Sequence, residues 1–507
     1  MSSDARTKKS IKNMTYGMIN KIVSLLLSLG SRYIFLYILP IEYLGINGVF
    51  ADVLVMLSLA DLGMATAMAY SFYKPLAEHD EKKLMALMTF YRKVYHAIAF
   101  MVAVVGLLAI PFLKYIIHVE QEISHITLYY LISLFNTVVS YLFAYKQSII
   151  TADQKFYIIS KYSMWIAFAK IVLQTIALYF SHSYTVYLCV GIITTISYNL
   201  LVNHQANKYY PFIKESSELA EEEKRDIFSN MKSIFVYKIS GVLMGGTDNT
   251  LISVIVNTAA VGLYTNYLTI INRIVQFAWV FFSSVTASIG NLVVKETKEK
   301  SYRVFQQMQF CSIWIGGFIV IALYFLIEDF IGVWLGAEYI MSKYVLIAIL
   351  CNVFYDIVKQ PIYAFREAIG MYKKVQYIML ICAIVNIILS ILLGMKWGTA
   401  GIIFASFIAK MTTTLWYEAR LLFHDYFELD LKDYLLPIIY GILTCIFCSI
   451  ICALIMRLIV VTNIIGWLFK GVVCTITINL FYLLRYCQNE DLHLIIGRFI
   501  KKKNNAI

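Results

Sequence analysis

The chain is expected to be an all-α polytopic membrane protein, with about 14 transmembrane helices in two pseudo-equivalent six-helix bundles plus a C-terminal helix pair. Three observations carry that expectation. Hydrophobic residues fill 60% of 507 positions while charged residues fill 15%. Mean hydropathy is +0.72. Fourteen apolar stretches, each near the ~20 residues that cross a bilayer, occupy nearly the whole chain and leave no stretch for a soluble domain. Inside lipid the backbone must satisfy its own hydrogen bonds, so each stretch predicts a helix.

The stretches run over 16–39, 44–70, 94–117, 126–150, 157–180, 184–202, 234–256, 261–290, 308–331, 344–364, 375–395, 401–423, 434–456 and 464–484. Basic residues set their orientation. Arg6, Lys8, Lys9 and Lys12, then Lys74, Lys82, Lys83, Arg92 and Lys93, then Lys295, Lys298, Lys300 and Arg303, and finally Lys501, Lys502 and Lys503 share a side with both termini. The other side holds Lys114, Lys343, Lys396 and Arg457. The positive-inside rule then puts both termini in the cytoplasm. The net charge of +12 fits anionic inner-leaflet lipid; with no basic soluble domain to hold it, nucleic acid is not expected as a partner. The first span is too long for a signal peptide and is expected to be retained. Connections on the outer side are short, the longest from about Glu328 to Lys343, so no extracellular domain is expected. Of the nine cysteines, Cys445, Cys448 and Cys452 share a helix face without a His or acidic residue, which predicts core packing and no metal site.

The two bundles emerge from an internal repeat. Lys21-Ile22 reappears as Lys238-Ile239, and Leu44-Gly45-Ile46 as Val261-Gly262-Leu263, both at a shift of 217; Lys83 then meets Lys300. Tyr145-Lys146-Gln147 corresponds to Phe365-Arg366-Glu367 at a shift of 220. The expected domains are 1–202, an N-terminal six-helix bundle; 203–233, a cytoplasmic linker; 234–423, a second six-helix bundle; and 424–507, helices 13 and 14 with an amphipathic cytoplasmic tail. The charged run from Glu215 to Asp226 in the linker predicts a surface helix, and Leu492 to Lys503 an interfacial one. Repeats in transporters place the substrate path between the halves.

Cations inside apolar spans mark the candidate site. Each costs about 2.5–3.5 kcal/mol at the bilayer centre on insertion scales, so it needs a partner, water or a route to the interface. They are Lys21, Arg32, Lys170, Lys238, Arg273, Lys359, Lys410 and Lys470. Lys21, Ser24, Ser28 and Arg32 fall on one helix face, and the repeat gives Lys238, Gly241, Gly245 and Asn249 at the same steps. Asn266, Thr269, Arg273, Gln276 and Ser283 form a further polar face. Lys21 and Lys238 also fit snorkelling from the cytoplasmic ends of their helices, and Lys470 from the outer end; Asp356 and Lys359, three apart, are expected to pair. Arg32, Arg273, Lys170 and Lys410 are deeper and are expected to line a hydrated cavity. Asp52, Asp61 and Asp248 are candidates for ion coupling or for structural ion pairs, and Gly245-Gly246 for close helix packing. Such a surplus of deep cations suits an anionic ligand such as a phosphate or diphosphate head group, with Asn249, Asn266 and Gln276 available to a sugar. Lys21 and Lys238 join this substrate-binding set.

Three strings resemble the start of a Wzx-type polysaccharide flippase of the multidrug/oligosaccharidyl-lipid/polysaccharide exporter superfamily. They are Tyr43-Leu44-Gly45-Ile46-Asn47-Gly48, Leu57-Ser58-Leu59-Ala60-Asp61-Leu62-Gly63 and Tyr73-Lys74-Pro75-Leu76-Ala77-Glu78. Ala152-Asp153-Gln154-Lys155 is similar to that family's corresponding cytoplasmic loop. The resemblance implies a flippase in the bacterial cytoplasmic (inner) membrane. It would move an undecaprenyl-diphosphate-linked oligosaccharide repeat unit from the inner to the outer leaflet for cell-surface polysaccharide assembly. It further implies alternating access, a cationic central cavity, no cofactor, coupling to H+ or Na+ and membrane potential, and a polysaccharide polymerase and other assembly proteins as partners. The alternatives are an ion-coupled multidrug antiporter of the same superfamily, for which this excess of cations has the wrong sign, and a membrane-embedded polysaccharide-assembly enzyme, for which no acidic catalytic cluster is visible. No Gly-rich phosphate loop is present, which excludes an ATP-driven pump on this chain alone.

Overall fold

The structure, a computed structural model, describes residues 19, 23–58, 64–119 and 123–493, and among them it contains helices and no strand. Lys21, Asp61, Gly63 and the tail from 494 onward lie outside the described residues, as does the side chain of Lys238. The helices are α1 (Val23–Ile38), then α2 (Ile41–Leu57), α3 (Met64–Glu78), α4 (Glu81–Ala109), α5 (Leu113–Ile116), α6 (Ile126–Ala152), α7 (Phe156–Ser181), α8 (Tyr184–Tyr209), α9 (Glu221–Gly245), α10 (Asp248–Ile255), α11 (Thr258–Lys295) and α12 (Lys298–Trp334). They continue with α13 (Lys343–Val358), α14 (Gln360–Ile369), α15 (Tyr372–Thr412), α16 (Thr414–Leu422), α17 (Lys432–Met456) and α18 (Ile464–Tyr486).

Among the described residues nine continuous helical segments are long and apolar enough to cross a membrane, which makes this a multi-pass membrane protein. One of them, Lys374–Phe427, counts 54 residues. A straight helix of that length would span about 80 Å, against a hydrocarbon core of about 30 Å. The chain instead turns back at Gly398, whose φ of 56° and ψ of −139° are open to a residue without Cβ. Asn386 Nδ2 then reaches Ser406 Oγ at 2.8 Å, although the two would lie about 30 Å apart on one straight helix. Grouping α2 with α3, α4 with α5, α9 with α10, α13 with α14, and taking the two limbs of α15 separately (the second with α16), gives fourteen helical columns among the described residues. Each overlaps one predicted span. Several extend beyond it where polar residues prolong the helix: column 3 begins at Glu81 behind the N-cap Asp80, which accepts from the Lys83 N–H at 2.9 Å.

The linker departs from expectation. Residues 203–209 continue α8, 211–214 form a 3-10 turn, and Glu221 to Asp226 open α9, so no separate surface helix forms. Three glutamates in the first turn of α9 suit the positive end of the helix dipole, and Glu223 pairs with Lys83.

Two compact units share the chain, Met1–Thr265 and Asn266–Ile507, and the division falls inside α11, later than the 203–233 linker. In the first unit an aromatic cluster joins columns 1, 2, 4 and 6: Tyr184 stands 5.0 Å from Tyr43 and 4.9 Å from Tyr129, ring centre to ring centre. In the second, Cys445, Cys448, Cys452 and Cys474 are buried with Ile321 and Tyr482 between columns 9, 13 and 14, as core packing requires. Column 14 is fastened to column 9 by polar contacts as well. Trp314 Nε1 donates to Asn479 Oδ1 at 3.2 Å, and Lys470 Nζ to Asp329 Oδ2 at 2.6 Å. Lys470 is therefore an ion-pair partner of Asp329.

Candidate functional site

In the first unit the candidate residues gather where α1, α2, α10 and the start of α11 meet. A Cβ on Gly45 would stand 1.8 Å from the Thr258 carbonyl oxygen, and one on Gly262 would stand 2.6 Å from the Ile41 carbonyl oxygen. Only a residue without a side chain permits this approach of α2 to α11. Gly45 and Gly262 are repeat equivalents, and they face each other. The flanking contacts repeat too: Arg32 donates to Thr265 Oγ1 at 3.4 Å, while their equivalents, Asn249 and Gly48, lie with the Asn249 Cγ 3.7 Å from a Cβ placed on Gly48. Reciprocal contacts of this kind are what a two-fold relation produces.

Asp52, one turn beyond Gly48, is buried and spends its carboxylate on a break in column 7. Its Oδ2 accepts from the backbone N–H of Asn249 at 2.9 Å and of Thr250 at 3.2 Å, and its Oδ1 accepts from Asn249 Nδ2 at 2.7 Å. These N–H groups begin α10, so Asp52 caps a helix from a neighbouring one. Column 7 thus breaks between Gly245 and Asp248. The Gly245-Gly246 pair marks a broken helix: a Cβ on Gly245 would touch nothing within 4 Å, while one on Gly246 would stand 3.5 Å from Val55 of α2. Asp248, the first residue of α10, is half-buried. Lys170 lies midway along α7, exposed and without a hydrogen-bond or ion-pair partner among the described residues.

In the second unit most deep charges are paired, and not as the spacing predicts. Asp356 takes Lys410, whose Nζ lies 2.9 Å from Oδ1, 3.1 Å from Oδ2 and 3.1 Å from Asn352 Oδ1. Lys359 turns instead to Glu418 at 2.8 Å, and Arg366 grips the other oxygen of that carboxylate at 2.7 Å. The physical reason is a second broken column: Lys359 sits at the junction of α13 and α14, so it no longer continues the face of Asp356. Side chains of this triad are at most 3% exposed. Reading the spans for cations alone missed Glu418 and Arg366. The acid inside the apolar run 401–423 was the signal for the first.

Arg273 differs from these. It is half-buried on α11, and among the described residues it has neither a hydrogen-bond nor an ion-pair partner. Gln276, one turn on, is also half-buried. Asn266 is wholly buried, with neither atom of its amide bonded among the described residues. Arg32, Asn249, Asp52 and Asp248 therefore cluster in the first unit, Lys170 stands apart from them on α7, and Arg273, Gln276, Asn266 and Lys410 belong to the second.

The connection after α6 is tied down. Asp153 accepts from Tyr210 Oη at 2.7 Å and pairs with Lys155 at 2.6 Å. Burial and then this hydrogen bond push the Tyr210 phenol well above its usual range.

The chain is thus a set of broken helical columns, in which Lys170 and Arg273 have no partner among the described residues. Solved structures share this fold. Lipid II flippase MurJ in an inward closed conformation matches with a TM-score of 0.65 at 15% identity, over 94% of this chain and 99% of its own. An inward-facing MATE family multidrug resistance transporter of the MOP superfamily matches with 0.61 at 13%, over 81% and 97%. A MOP superfamily transporter from Pyrococcus furiosus gives 0.55 at 11%, over 86% and 95%. The chain has the fold of MOP superfamily transporters. No protein-family model and no curated protein sequence matches it.

Proposed function

We propose that the protein is a flippase of the Wzx type. It carries an undecaprenyl-diphosphate-linked oligosaccharide repeat unit from the inner to the outer leaflet of the bacterial inner membrane, both of its termini being cytoplasmic. It works by alternating access, without a chemical step of its own, and supplies a polymerase that assembles cell-surface polysaccharide. One observation carries the reading: Lys170 and Arg273 lie inside apolar columns with no carboxylate partner among the described residues. A charge held in lipid without a partner is retained for a ligand of opposite sign, and guanidinium and ammonium groups match a diphosphate. Arg32, bonded to a neutral hydroxyl at 3.4 Å, adds a third cation.

Coverage of the lipid II flippase over nearly its whole length supports a lipid-linked substrate. Asp52 and Asp248 at the break in column 7 are the groups assigned to H+ or Na+ coupling. Neutralising Asp52 would release the start of α10, and membrane potential would assist outward movement of negative charge by about 2.3 kcal/mol per charge per 100 mV.

The experiment is leaflet-resolved flipping of a labelled polyprenyl-diphosphate oligosaccharide in proteoliposomes, with Arg273→Ala and Lys170→Ala alongside. Loss of one charge-assisted contact is expected to slow flipping about tenfold or more. Normal rates in both variants would remove the proposed roles. Drug–proton exchange without any flipping would assign the protein to the antiporters.

A further inference from the structure

A cavity of about 740 Å³ opens in the second unit where α17 begins and α18 ends, against the first third of α12. Its charged lining consists of Asp433, Arg485 and Asp491. Among the described residues none of these three side chains makes an ion pair or a hydrogen bond. Gln309 also lines it, held in place because its amide nitrogen donates to the Tyr434 carbonyl at 2.8 Å. Tyr440 and Leu484 form an apolar wall and are 58% and 67% exposed.

The height of the cavity follows from the sequence. The apolar run of α18 gives way at Arg485 to a polar segment, Gln488, Asn489, Glu490 and Asp491, and α17 opens with Lys432 and Asp433. Such a change marks the level of lipid head groups. Farther along the same helices Leu443, Phe447 and Leu480 are more than half exposed, a surface that suits acyl chains.

One cation and two carboxylates are the charges that line the cavity. A purely basic pocket would favour an anionic lipid; here the three charges sum to minus one, which disfavours it. We infer that the cavity binds a zwitterionic aminophospholipid, its phosphate on Arg485, its primary ammonium between Asp433 and Asp491, and its chains along Tyr440 and Leu484. A choline head group has the same net charge but no N–H to donate, so it loses the hydrogen bonds to both carboxylates.

The test uses the full chain in detergent with added phosphatidylethanolamine, phosphatidylcholine or phosphatidylglycerol, and retained lipid is counted by native mass spectrometry. Phosphatidylethanolamine is expected to be held about tenfold more tightly than either competitor, the ratio of one charge-assisted hydrogen bond. Asp433→Asn, a change at an exposed position, combined with Asp491→Asn should abolish that preference without shifting the lipid-free melting temperature. Arg485→Gln should weaken retention of all three lipids. Equal retention of the three by the unaltered protein, or a preference that survives the double substitution, overturns the inference. Retention of no lipid overturns it too.

Discussion

Lys146 and Arg366 stand at matching places in the repeat and are held in opposite ways. Lys146, on column 4, donates to two neutral amides of column 6: Asn203, and Asn207 at 2.9 Å. Arg366, on column 10, donates to Glu418 of column 12, a carboxylate that Lys359 grips from its other side. Neutral acceptors satisfy the N–H groups and leave the charge uncompensated, which a half-buried ammonium near water tolerates. The triad is dry, and removing one member leaves a buried charge without its counter-charge. The first arrangement is adjustable; the second is a staple. Depth of a charge therefore does not by itself identify a substrate residue. What distinguishes Arg273 and Lys170 from Lys359 and Lys410 is that neither has a partner among the described residues.

The largest expected effect comes from breaking the staple. Glu418→Gln leaves two buried cations facing a neutral amide and should cost about 3–5 kcal/mol in unfolding from mixed micelles. Removing both amides around Lys146, as Asn203→Ala with Asn207→Ala, should cost only about 1–2 kcal/mol in the same measurement. Equal losses in the two experiments would mean that the contrast between the units is not real. Smaller again is the cap: Asp52→Ala should cost about 1 kcal/mol, read as a lower melting temperature, and hydrogen exchange should rise at Asn249 and Thr250 but not across column 2. Uniform exchange throughout the first unit would contradict a local role at the break.

Much of the fold was legible because lipid permits little else. All fourteen apolar runs became helical columns, and the shift that aligned Gly45 with Gly262 paired two residues that meet face to face. Breaks within columns were not legible. A Gly-Gly pair carries the same composition whether it admits a neighbouring helix or ends one, and the carboxylate that settles the matter, Asp52, lies 197 residues away in sequence. Partner choice among charges failed for a related reason. Asp356 and Lys359 are three apart, as a helical pair should be, but the junction of α13 and α14 redirects Lys359 toward Glu418. Lys21 and Asp61 lie outside the described residues.

In the proposed function, cations without a partner among the described residues act on substrate, while paired ones hold the protein together. The most direct measurement is the initial flipping rate of a labelled polyprenyl-diphosphate oligosaccharide by Arg273→Ala, taken with its melting temperature. A rate lowered about tenfold or more at an unchanged melting temperature is the predicted result. An unaltered rate, or a slower one that merely follows a loss of folded protein, would contradict it.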